Sequence, residues 1–401
     1  MTRITAPFLS DPGLGRVLGA IEDAGYPALI VGGAVRNALL GVPVGDIDIA
    51  TSAPPEEIIR IAERAGLRAV PTGLDHGTVT VIAEGVPHEI TTFRRDVATD
   101  GRRAVVAFSD DLAEDARRRD FTMNALYADR RGEVLDPVGG LADLAARRLR
   151  FVGDPAQRIA EDYLRILRFF RFHACYGAPG TADPAALAAC TALAGGLDGI
   201  SRERIGAEMR KLLAAPDPSE AVALMQQAGV LARVLPGADG RDLPALVRAE
   251  HDYGTGALPA WPRRLALIGG QDPAGALRLS RDERRELDHI TRALAMPPAE
   301  AAYRLGRASA AQAALIRAAR GEPPAFGWCH EVARGADARL PLAAADLMAT
   351  GLSGPALGQA LARAEDAFIA SGFALDRDRL RRIALEEAAA PGATGARGNG
   401  S

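Results

Sequence analysis

The spacing of hydrophobic residues changes character about a third of the way along the chain. Before about residue 130, the apolar run ALIVGG (28–33) and the alternating TVTVIAEGVPHEITTF (78–93) predict short strands, the latter as a hairpin turning at Glu-Gly. Helical spacing occurs at 12–24 and in PPEEIIRIAERAG (54–66), whose acidic first turn and final glycine are typical of helix ends. This part of the chain is therefore predicted to be a mixed α/β unit with antiparallel strands.

From about residue 141 onward the spacing of apolar residues is helical almost throughout. Segments rich in Ala, Leu and Arg are separated by loops such as GAPGTADP and LPGADGRDLP. The final AAAPGATGARGNGS (388–401) has no side chains to bury and is expected to be disordered. The predicted fold is thus an α+β region followed by an all-α region.

Length and composition are those of a globular protein with more than one domain. The 401 residues exceed one ordinary core, and a hydrophobic content of 48% is enough to build several. Proline and aspartate interrupt MTRITAPFLSDPGLGR before a signal-peptide core could form, and no apolar stretch could cross a bilayer, so a cytoplasmic protein is expected. Three scattered cysteines predict neither a disulfide framework nor a zinc site.

Charge gives local rather than global information. The net charge of −3 does not indicate a nucleic-acid-binding protein, although arginines are dense between Arg94 and Lys211. Lys211 is also the only lysine, which excludes the Gly-Lys-Ser/Thr of a P-loop and argues against Schiff-base chemistry. Any phosphate must be bound by arginine, backbone amides and metal.

A glycine turn and a pair of aspartates form the first candidate site. Gly32 and Gly33 follow a buried strand and precede a helix, so backbone amides can approach a phosphate closely, with Arg36 one turn further on. In the predicted strand GDIDIATSA, Asp46 and Asp48 would share one face, and Mg²⁺ is a natural neutraliser of two adjacent carboxylates. Taken alone, such a pair also occurs in ordinary surface turns.

A second candidate site lies on the helix predicted for AEDYLRILRFFRF (160–172). Arg165, Arg168 and Arg171 recur every third residue and drift slowly along one face, while nearly all intervening residues are apolar. Asp162 begins the same stripe. The stripe is either an ordinary solvated face or the cationic wall of a cleft that holds an anion.

Together these motifs resemble the DNA polymerase β nucleotidyltransferase superfamily. The segment GGAVRNALLG with its downstream Asp-x-Asp is similar to the branch of class II tRNA nucleotidyltransferases, the CCA-adding enzymes, and bacterial poly(A) polymerases. Further segments are similar to the later motifs of this family, in the same order: RRDFTMNALYAD (118–129), DPVGGLADLAARRLRFVGDP (136–155), AEDYLRILRFFRF (160–172) and SRERIGAEMRKLL (201–213). The resemblance covers about residues 28–213.

The resemblance implies a domain order. An α+β nucleotidyltransferase head with a mixed sheet is expected over 1–140, and a helical neck that selects the base over 141–215. A helical body and tail over 216–387 would bind the acceptor arm and 3′ end of tRNA, ahead of the terminal segment 388–401. Neither a membrane nor a protein partner is indicated.

The resemblance also implies a catalytic set. Asp46 and Asp48 would bind two Mg²⁺ ions that activate the RNA 3′-hydroxyl and orient the triphosphate. Glu89 is the candidate for a third carboxylate on a neighbouring strand, although Glu84 and Asp96 lie nearby and Glu89 could equally be an exposed strand residue.

Base selection would depend on Asp162 and Arg165, which the resemblance places three residues apart on one helix face. Asp162 would accept a hydrogen bond from the exocyclic amine of cytosine or adenine. Uracil and guanine would instead face it with a carbonyl oxygen, leaving two acceptors opposed. The other residues implied to bind nucleotide are Gly32, Gly33, Arg36, Arg119, Arg168 and Arg171 toward the triphosphate, and Asp120 and Asn124 near the ribose 2′-hydroxyl.

Two local features bear on these roles. Asn37 stands where the family usually has aspartate, which removes a charge that could anchor Arg36. The arginine-rich segment 94–108 corresponds to the mobile loop between the first two family motifs.

The predicted function is template-independent addition or repair of the tRNA 3′-terminal CCA from CTP and ATP. A poly(A) polymerase, or an enzyme that adds only CC or only A, would share every motif named above. A noncatalytic RNA-binding relative would be expected to lack the metal-binding carboxylates, and both Asp46 and Asp48 are present.

Overall fold

The computed structural model describes residues 2–100, 103–254 and 258–386, so the segment 388–401 lies outside the described residues. The strands are β1 Leu29–Val31, β2 Asp48–Thr51, β3 Arg68–Gly73, β4 Thr78–Ala83, β5 Val86–Thr92, β6 Arg94–Asp100, β7 Arg103–Phe108, β8 Tyr127–Ala128 and β9 Val134–Leu135.

The helices of the first half of the chain are α1 Pro12–Asp23, α2 Gly33–Leu40, α3 Pro55–Arg64, α4 Leu112–Arg117, α5 Gly140–Ala145, α6 Pro155–Glu161, α7 Leu164–Tyr176, α8 Pro184–Ala192 and α9 Arg202–Leu213. They are followed by α10 Ser219–Gln227, α11 Val230–Val234, α12 Leu243–Tyr253, α13 Ala260–Ile268, α14 Pro273–Ala276, α15 Arg281–Ala293, α16 Pro298–Leu305, α17 Arg307–Ala319, α18 Trp328–Asp337, α19 Ala344–Met348, α20 Gly354–Ala370 and α21 Arg377–Glu386.

Seven strands form one mixed sheet in the order β3-β4-β5-β2-β1-β8-β9. Strands β2 and β5 run parallel, and the other neighbours in this sheet run antiparallel. The predicted β4–β5 hairpin is confirmed: Glu84 and Gly85 both have positive φ (50° and 78°), as primed turns require. The α+β prediction for the first part of the chain is therefore confirmed.

Strand β2 is shorter than predicted, and this changes the setting of Asp46. Pairing begins at Asp48, which lies opposite Val31 of β1 and Glu89 of β5. Strand β1 ends at Val31 because Gly32 turns the chain with a φ of +70°, so no partner remains for Asp46. Asp46 therefore lies in the segment that leads into β2, not in the strand itself.

The segment 94–108, predicted to be a mobile loop, pairs as the antiparallel β6–β7 hairpin outside the main sheet. Residues 101 and 102 lie outside the described part of the chain. The mobility of the segment stays a prediction.

The chain divides into two compact units. The first comprises residues 1–241 with 268–279, and the second comprises 242–267 with the described residues from 280 onward. Beyond Leu135 the described residues form helices, turns and one isolated bridge, between Phe121 and Phe151, which confirms the all-α prediction for this part. The finer division at 140 and 215 stays a prediction. No helix among the described residues has both the length and the apolar character needed to cross a membrane.

An aromatic cluster joins helix α7 to the rest of the first unit. The Phe121 ring lies 4.8 Å from that of Phe151 and 5.3 Å from that of Phe172, and Phe169 stacks on Phe151 at 5.9 Å. Aromatic pairs at these distances add to the free energy gained by burying their area. The packing holds the arginine-bearing helix against the segment that carries Asp120 and Asn124.

Asp143 of α5 ties the following connector to the same segment. Its buried carboxylate accepts hydrogen bonds from Thr122 Oγ1 (2.7 Å), Arg148 Nη2 (2.7 Å) and Arg150 Nε (2.8 Å). Burial alone would raise the pKa of Asp143, but these hydrogen bonds hold it below the ordinary value.

Replacing Asp143 with asparagine is expected to lower the free energy of unfolding by about 2 kcal/mol, less than for a fully buried pair because both arginines are nearly half exposed. Since the folded-state pKa lies below the unfolded one, the stabilisation is present above about pH 4 and is lost as the pH falls further. Urea unfolding at pH 7 and pH 3 measures both effects. Asp198→Asn, which alters an exposed ion pair with Arg233, is the control; equal effects of the two variants would contradict the prediction.

Candidate active site

Asp46, Asp48 and Glu89 lie near one another around the start of strand β2. Asp48 lies in register with Glu89 on the parallel neighbour β5, where adjacent strands are about 4.8 Å apart. Burial raises the pKa of Asp48, with Asp46 adding to the rise and Arg119 opposing it. Burial also raises the pKa of Glu89, and the charges of Asp48 and Asp46 raise it further. Asp46, Asp48 and Glu89 are therefore close enough to repel one another.

The register of β5 separates Glu89 from its alternative, Glu84. Glu84 lies in the β4–β5 turn and makes an exposed ion pair with Arg16 at 2.8 Å. Asp96 lies on β6, outside the main sheet. Of the three candidates for a third carboxylate, Glu89 is thus the one placed beside Asp48.

The Gly32 turn lies next to Arg119 and Asn124. A Cβ atom added to Gly32 would lie 3.5 Å from the Asn124 carbonyl oxygen and 3.6 Å from Arg119 Nη1. The positive φ of Gly32 (+70°) also disfavours any side chain. Helix α2 begins at Gly33, so the first N–H groups of the helix follow directly after the turn that Arg119 approaches.

Arg119 is oriented by buried partners that the sequence did not reveal. Its Nη2 lies 3.0 Å from Asp115 Oδ2, and its Nε donates to the Tyr127 hydroxyl at 3.0 Å. The Tyr127 hydroxyl in turn donates to Asp115 Oδ2 at 2.7 Å. Arg158 donates to the Arg119 carbonyl at 3.0 Å. The only local signal was the four-residue spacing of Asp115 and Arg119, which is common on solvated helices.

Arg36 is buried, with 6% of its surface exposed. Its guanidinium donates to Asn37 Oδ1 (2.9 Å), the Tyr176 hydroxyl (2.8 Å) and Asn124 Oδ1, and lies 3.9 Å from the centre of the Tyr176 ring. Burial lowers the pKa of Arg36. Asn37 thus anchors Arg36 as an uncharged acceptor, and Arg36 joins α2 to α7. Its predicted contact with a triphosphate stays a prediction.

Asp120 and Asn124 connect the segment that follows α4 to helix α7. Asp120 Oδ1 accepts from Asn124 Nδ2 at 3.0 Å and from the Phe121 backbone N–H at 2.8 Å, while Oδ2 accepts from Arg168 Nε at 2.9 Å. Burial alone would raise the pKa of Asp120, but the Arg168 guanidinium and these hydrogen bonds hold it below the ordinary value. Asp120 is therefore an ionised acceptor fixed between the head segment and α7.

Helix α7 carries the predicted arginine stripe, and α9 supplies a partner to it. Arg171 Nε donates to Glu208 Oε2 at 2.6 Å, and Arg168 Nη1 lies 4.0 Å from Glu208 Oε1. Both guanidinium groups also lie over the Phe172 ring, at 5.4 Å for Arg168 and 4.2 Å for Arg171. The stripe is therefore a partly buried, paired wall rather than a solvated face.

The prediction that Asp162 and Arg165 share one helix face is wrong. Helix α6 ends at Glu161 and α7 begins at Leu164, and Asp162 has extended backbone (φ −154°, ψ 106°) between them. Its Oδ1 accepts from the Leu164 N–H at 3.1 Å and its Oδ2 from Arg204 Nη2 at 2.7 Å. The extended backbone of Asp162 interrupts the helix predicted over 160–172, and its side chain accepts one N–H group from the first turn of α7.

Arg165 is held by residues of α6, which lies before this break. Its Nη1 donates to the Arg158 carbonyl at 2.6 Å and pairs with Glu161. Asp162 and Arg165 are thus neighbours at the helix break, each with separate partners. Burial acts to lower the pKa of Arg168, but the charge of Asp120 raises it. The charge of Asp162 contributes to the same rise more weakly.

Comparison with known proteins places the chain in a family. A family model described as a poly A polymerase head domain matches residues 28–150, and one described as a probable RNA and SrmB-binding site of polymerase A matches residues 181–240. The CCA-adding enzyme of Levilactobacillus brevis is 42% identical over 248 residues, 61% of each protein. That of Streptococcus gordonii is 41% identical over 273 residues, 67% of each protein. The first of these alignments spans less than two thirds of the relative's own length.

The fold extends the likeness along the chain. The structure of the Bacillus stearothermophilus CCA-adding enzyme in complex with CTP matches with a TM-score of 0.76 at 32% identity, covering 96% of this chain and 98% of that one. The residues matched by the poly A polymerase head model, 28–150, include the glycine turn and the carboxylates of β2 and β5. The resemblance drawn from the motifs is confirmed: the chain belongs to the family of CCA-adding enzymes and bacterial poly(A) polymerases.

Proposed function

We propose that this protein is a template-independent nucleotidyltransferase that adds or repairs the 3′-terminal CCA of tRNA from CTP and ATP. The names of its relatives support this activity, and the similar Bacillus stearothermophilus structure was obtained with CTP. The proposed RNA partner is the acceptor arm and 3′ end of tRNA, bound by the helical region after residue 215.

One structural observation carries the proposal, namely a continuous polar path from the carboxylates to the arginine helix. The charge of Arg119 acts on the pKa of Asp48, and a Cβ atom on Gly32 would lie within 3.6 Å of both Arg119 and Asn124. Asn124 binds Asp120, and Asp120 binds Arg168 of α7. The path supports one elongated site in which phosphates lie near Arg119 and the base lies near Asp162.

The residues present fit a magnesium site. Hard carboxylate oxygens are the ligands that Mg²⁺ favours, and Asp46, Asp48 and Glu89 offer them without a lysine in the chain segment around them. These carboxylates do not form a ready-made metal cage, since no group of three or more His, Cys, Asp or Glu ligands exists among the described residues, so the proposed site requires substrate phosphates to complete it. Mg²⁺ held by Asp46 and Asp48 would supply charge neutralisation for the phosphates and lower the pKa of the attacking hydroxyl.

The chain's own groups would position the nucleotide. The N-terminal amides of α2 and the Arg119 guanidinium would bind phosphate oxygens, since Arg119 is already oriented by Asp115 and Tyr127. Asp162 would accept from the amine of cytosine or adenine, and the Arg165 guanidinium would donate to a neighbouring ring acceptor. A base with a carbonyl at the position facing Asp162 would oppose two acceptors, which selects C and A without a nucleic-acid template.

Incorporation assays on three tRNA transcripts, ending before CCA, after C and after CC, test the function. Each is incubated with Mg²⁺ and labelled CTP, ATP, UTP or GTP, singly and together. The expected result is two C additions followed by one A and a stop, without incorporation of U or G. Omission of Mg²⁺ and the variant Asp46→Ala/Asp48→Ala are the controls.

Other products would redirect the assignment. Long A tails would identify a poly(A) polymerase, and products that stop at CC or that require CC would identify a CC-only or A-only enzyme. Absence of metal-dependent incorporation with every transcript would contradict nucleotidyl transfer itself and favour a noncatalytic RNA-binding relative.

A further inference from the structure

Helix α9 places two charged side chains against the base-selecting end of the site. Arg204 and Glu208 are one turn apart on one face of the helix. Arg204 Nη2 donates to Asp162 Oδ2 at 2.7 Å, and Glu208 Oε2 accepts from Arg171 at 2.6 Å. One rigid element therefore holds both the carboxylate of the helix break and the arginine stripe of α7.

We propose that Arg204 is a specificity-positioning residue that fixes the orientation of the Asp162 carboxylate and so sets the discrimination of C and A against U and G. This inference rests on the proposed function, in which Asp162 reads the base. It adds a determinant outside the nucleotide contact, on a helix more than 35 residues further along the chain.

The geometry at Asp162 explains why a second anchor matters. Asp162 lies between α6 and α7 and belongs to neither helix, so helix geometry does not fix its side chain. Its Oδ1 is held by the Leu164 N–H at 3.1 Å, which leaves the far oxygen free to swing unless Arg204 holds it. An orienting partner of this kind determines how well a reading group is aligned with its target.

The Arg204 contact does not block the base. Each carboxylate oxygen has two lone pairs, so Oδ1 and Oδ2 can each accept one further hydrogen bond while keeping Leu164 and Arg204. A guanidinium is a donor only, so its pairing keeps the Asp162 carboxylate as an acceptor. An acceptor in a fixed position binds an exocyclic amine favourably and repels a carbonyl oxygen. If the carboxylate is less well fixed, both contributions to discrimination become weaker.

The fold of α9 does not depend on Arg204. Ile205, Met209 and Leu212 are buried, and a Cβ on Gly206 would lie 2.0 Å from the Leu277 carbonyl oxygen, so the helix backbone packs directly on that segment. The Arg204 side chain is one-third exposed. Truncation is therefore expected to alter the Asp162 contact while leaving the packing of the helix unchanged.

The experiment compares full-length wild-type protein with Arg204→Ala, Arg204→Lys and Glu203→Gln. Glu203 is a matched control because it lies on the same helix and makes an exposed ion pair with Arg278 at 3.1 Å. Steady-state kcat and KM are measured for CTP and UTP on a tRNA transcript that ends before CCA, and thermal unfolding of each variant is recorded.

Arg204→Ala is expected to reduce the ratio of kcat/KM for CTP to that for UTP by about tenfold, with unfolding unchanged, as for loss of one charged hydrogen bond. Arg204→Lys is expected to keep part of the wild-type ratio, and Glu203→Gln is expected to keep all of it. A variant Arg204→Ala that keeps the wild-type ratio, even with lower rates for both nucleotides, would overturn the inference and assign Arg204 a purely structural role. Failure of the wild-type protein to incorporate C would overturn the proposed function and the inference that rests on it, and it is visible before any variant is compared.

Discussion

Asp48→Asn is expected to lower the rate of nucleotide incorporation by about a thousandfold or more, while the protein stays folded and binds tRNA. A loss of this size corresponds to about 4 kcal/mol of transition-state stabilisation, the range of one strong electrostatic contact at a reacting phosphate. Asparagine keeps the shape of Asp48 at the start of β2 but removes a charge that the proposed Mg²⁺ site would need. Single-turnover incorporation of CMP into a transcript lacking CCA measures the effect.

Neighbouring carboxylates give this experiment its controls. Glu89→Gln is expected to reduce the rate less strongly, because Glu89 is the third member of the set and lies beside Asp48. Glu84→Gln is expected to leave the rate unchanged, because Glu84 pairs with Arg16 at the surface of the β4–β5 turn. Stability is not expected to fall in Asp48→Asn, since the substitution relieves repulsion at Glu89. A near-wild-type rate for Asp48→Asn would exclude this carboxylate from the reaction.

Asp162→Ala is expected to abolish most of the discrimination against UTP and GTP and to slow incorporation of CMP and AMP by about a hundredfold. A site that reads a polar edge rejects the wrong edge by leaving buried acceptors unpaired, and alanine removes the acceptor. The incorporation rate is therefore expected to fall strongly for CTP and ATP and only slightly for UTP and GTP. Competition between labelled CTP and UTP on one transcript measures the ratio directly.

Retention of tRNA binding separates this effect from misfolding. Asp162→Ala removes one hydrogen bond to the start of α7, so thermal unfolding and a tRNA gel-shift should accompany the kinetics. Asp198→Ala, at an exposed ion pair with Arg233, is the matched acidic control. Unchanged rejection of UTP and GTP by Asp162→Ala would contradict the role of this residue in reading the base.

The two site predictions that the structure corrects both depend on where an element ends. Periodicity treats residues 160–172 as one helix, but Asp162 follows the end of α6 with extended backbone and accepts a hydrogen bond from the Leu164 N–H, a local competition that spacing does not register. Alternation likewise extended β2 back to Gly45, but β1 ends at Val31 and offers no partner for the earlier residues. The end of the element was set by a side-chain hydrogen bond in the first case and by the lack of a strand partner in the second, and the pattern contains neither.

The sequence by itself determined the mixed-sheet head, the helical remainder, the glycine turn, the Asp-x-Asp motif and the arginine stripe. These features depend on residues within a few positions of each other. At such short separations the geometry of a helix or strand determines which side chains lie on the same face. The order of the motifs also indicated the family, because several similar motifs follow one another along this chain in the same order as in the family.

Only the tertiary structure decided which charged groups pair. Arg168 could have faced solvent, but the fold brings Asp120 to it across 48 positions, and it brings Glu208 to Arg171 and Arg204 to Asp162 across 37 and 42. The register of parallel β2 and β5 selected Glu89 over Glu84. Ion pairs and strand register join segments distant in sequence, so they follow from how the elements pack against one another, which no local spacing encodes.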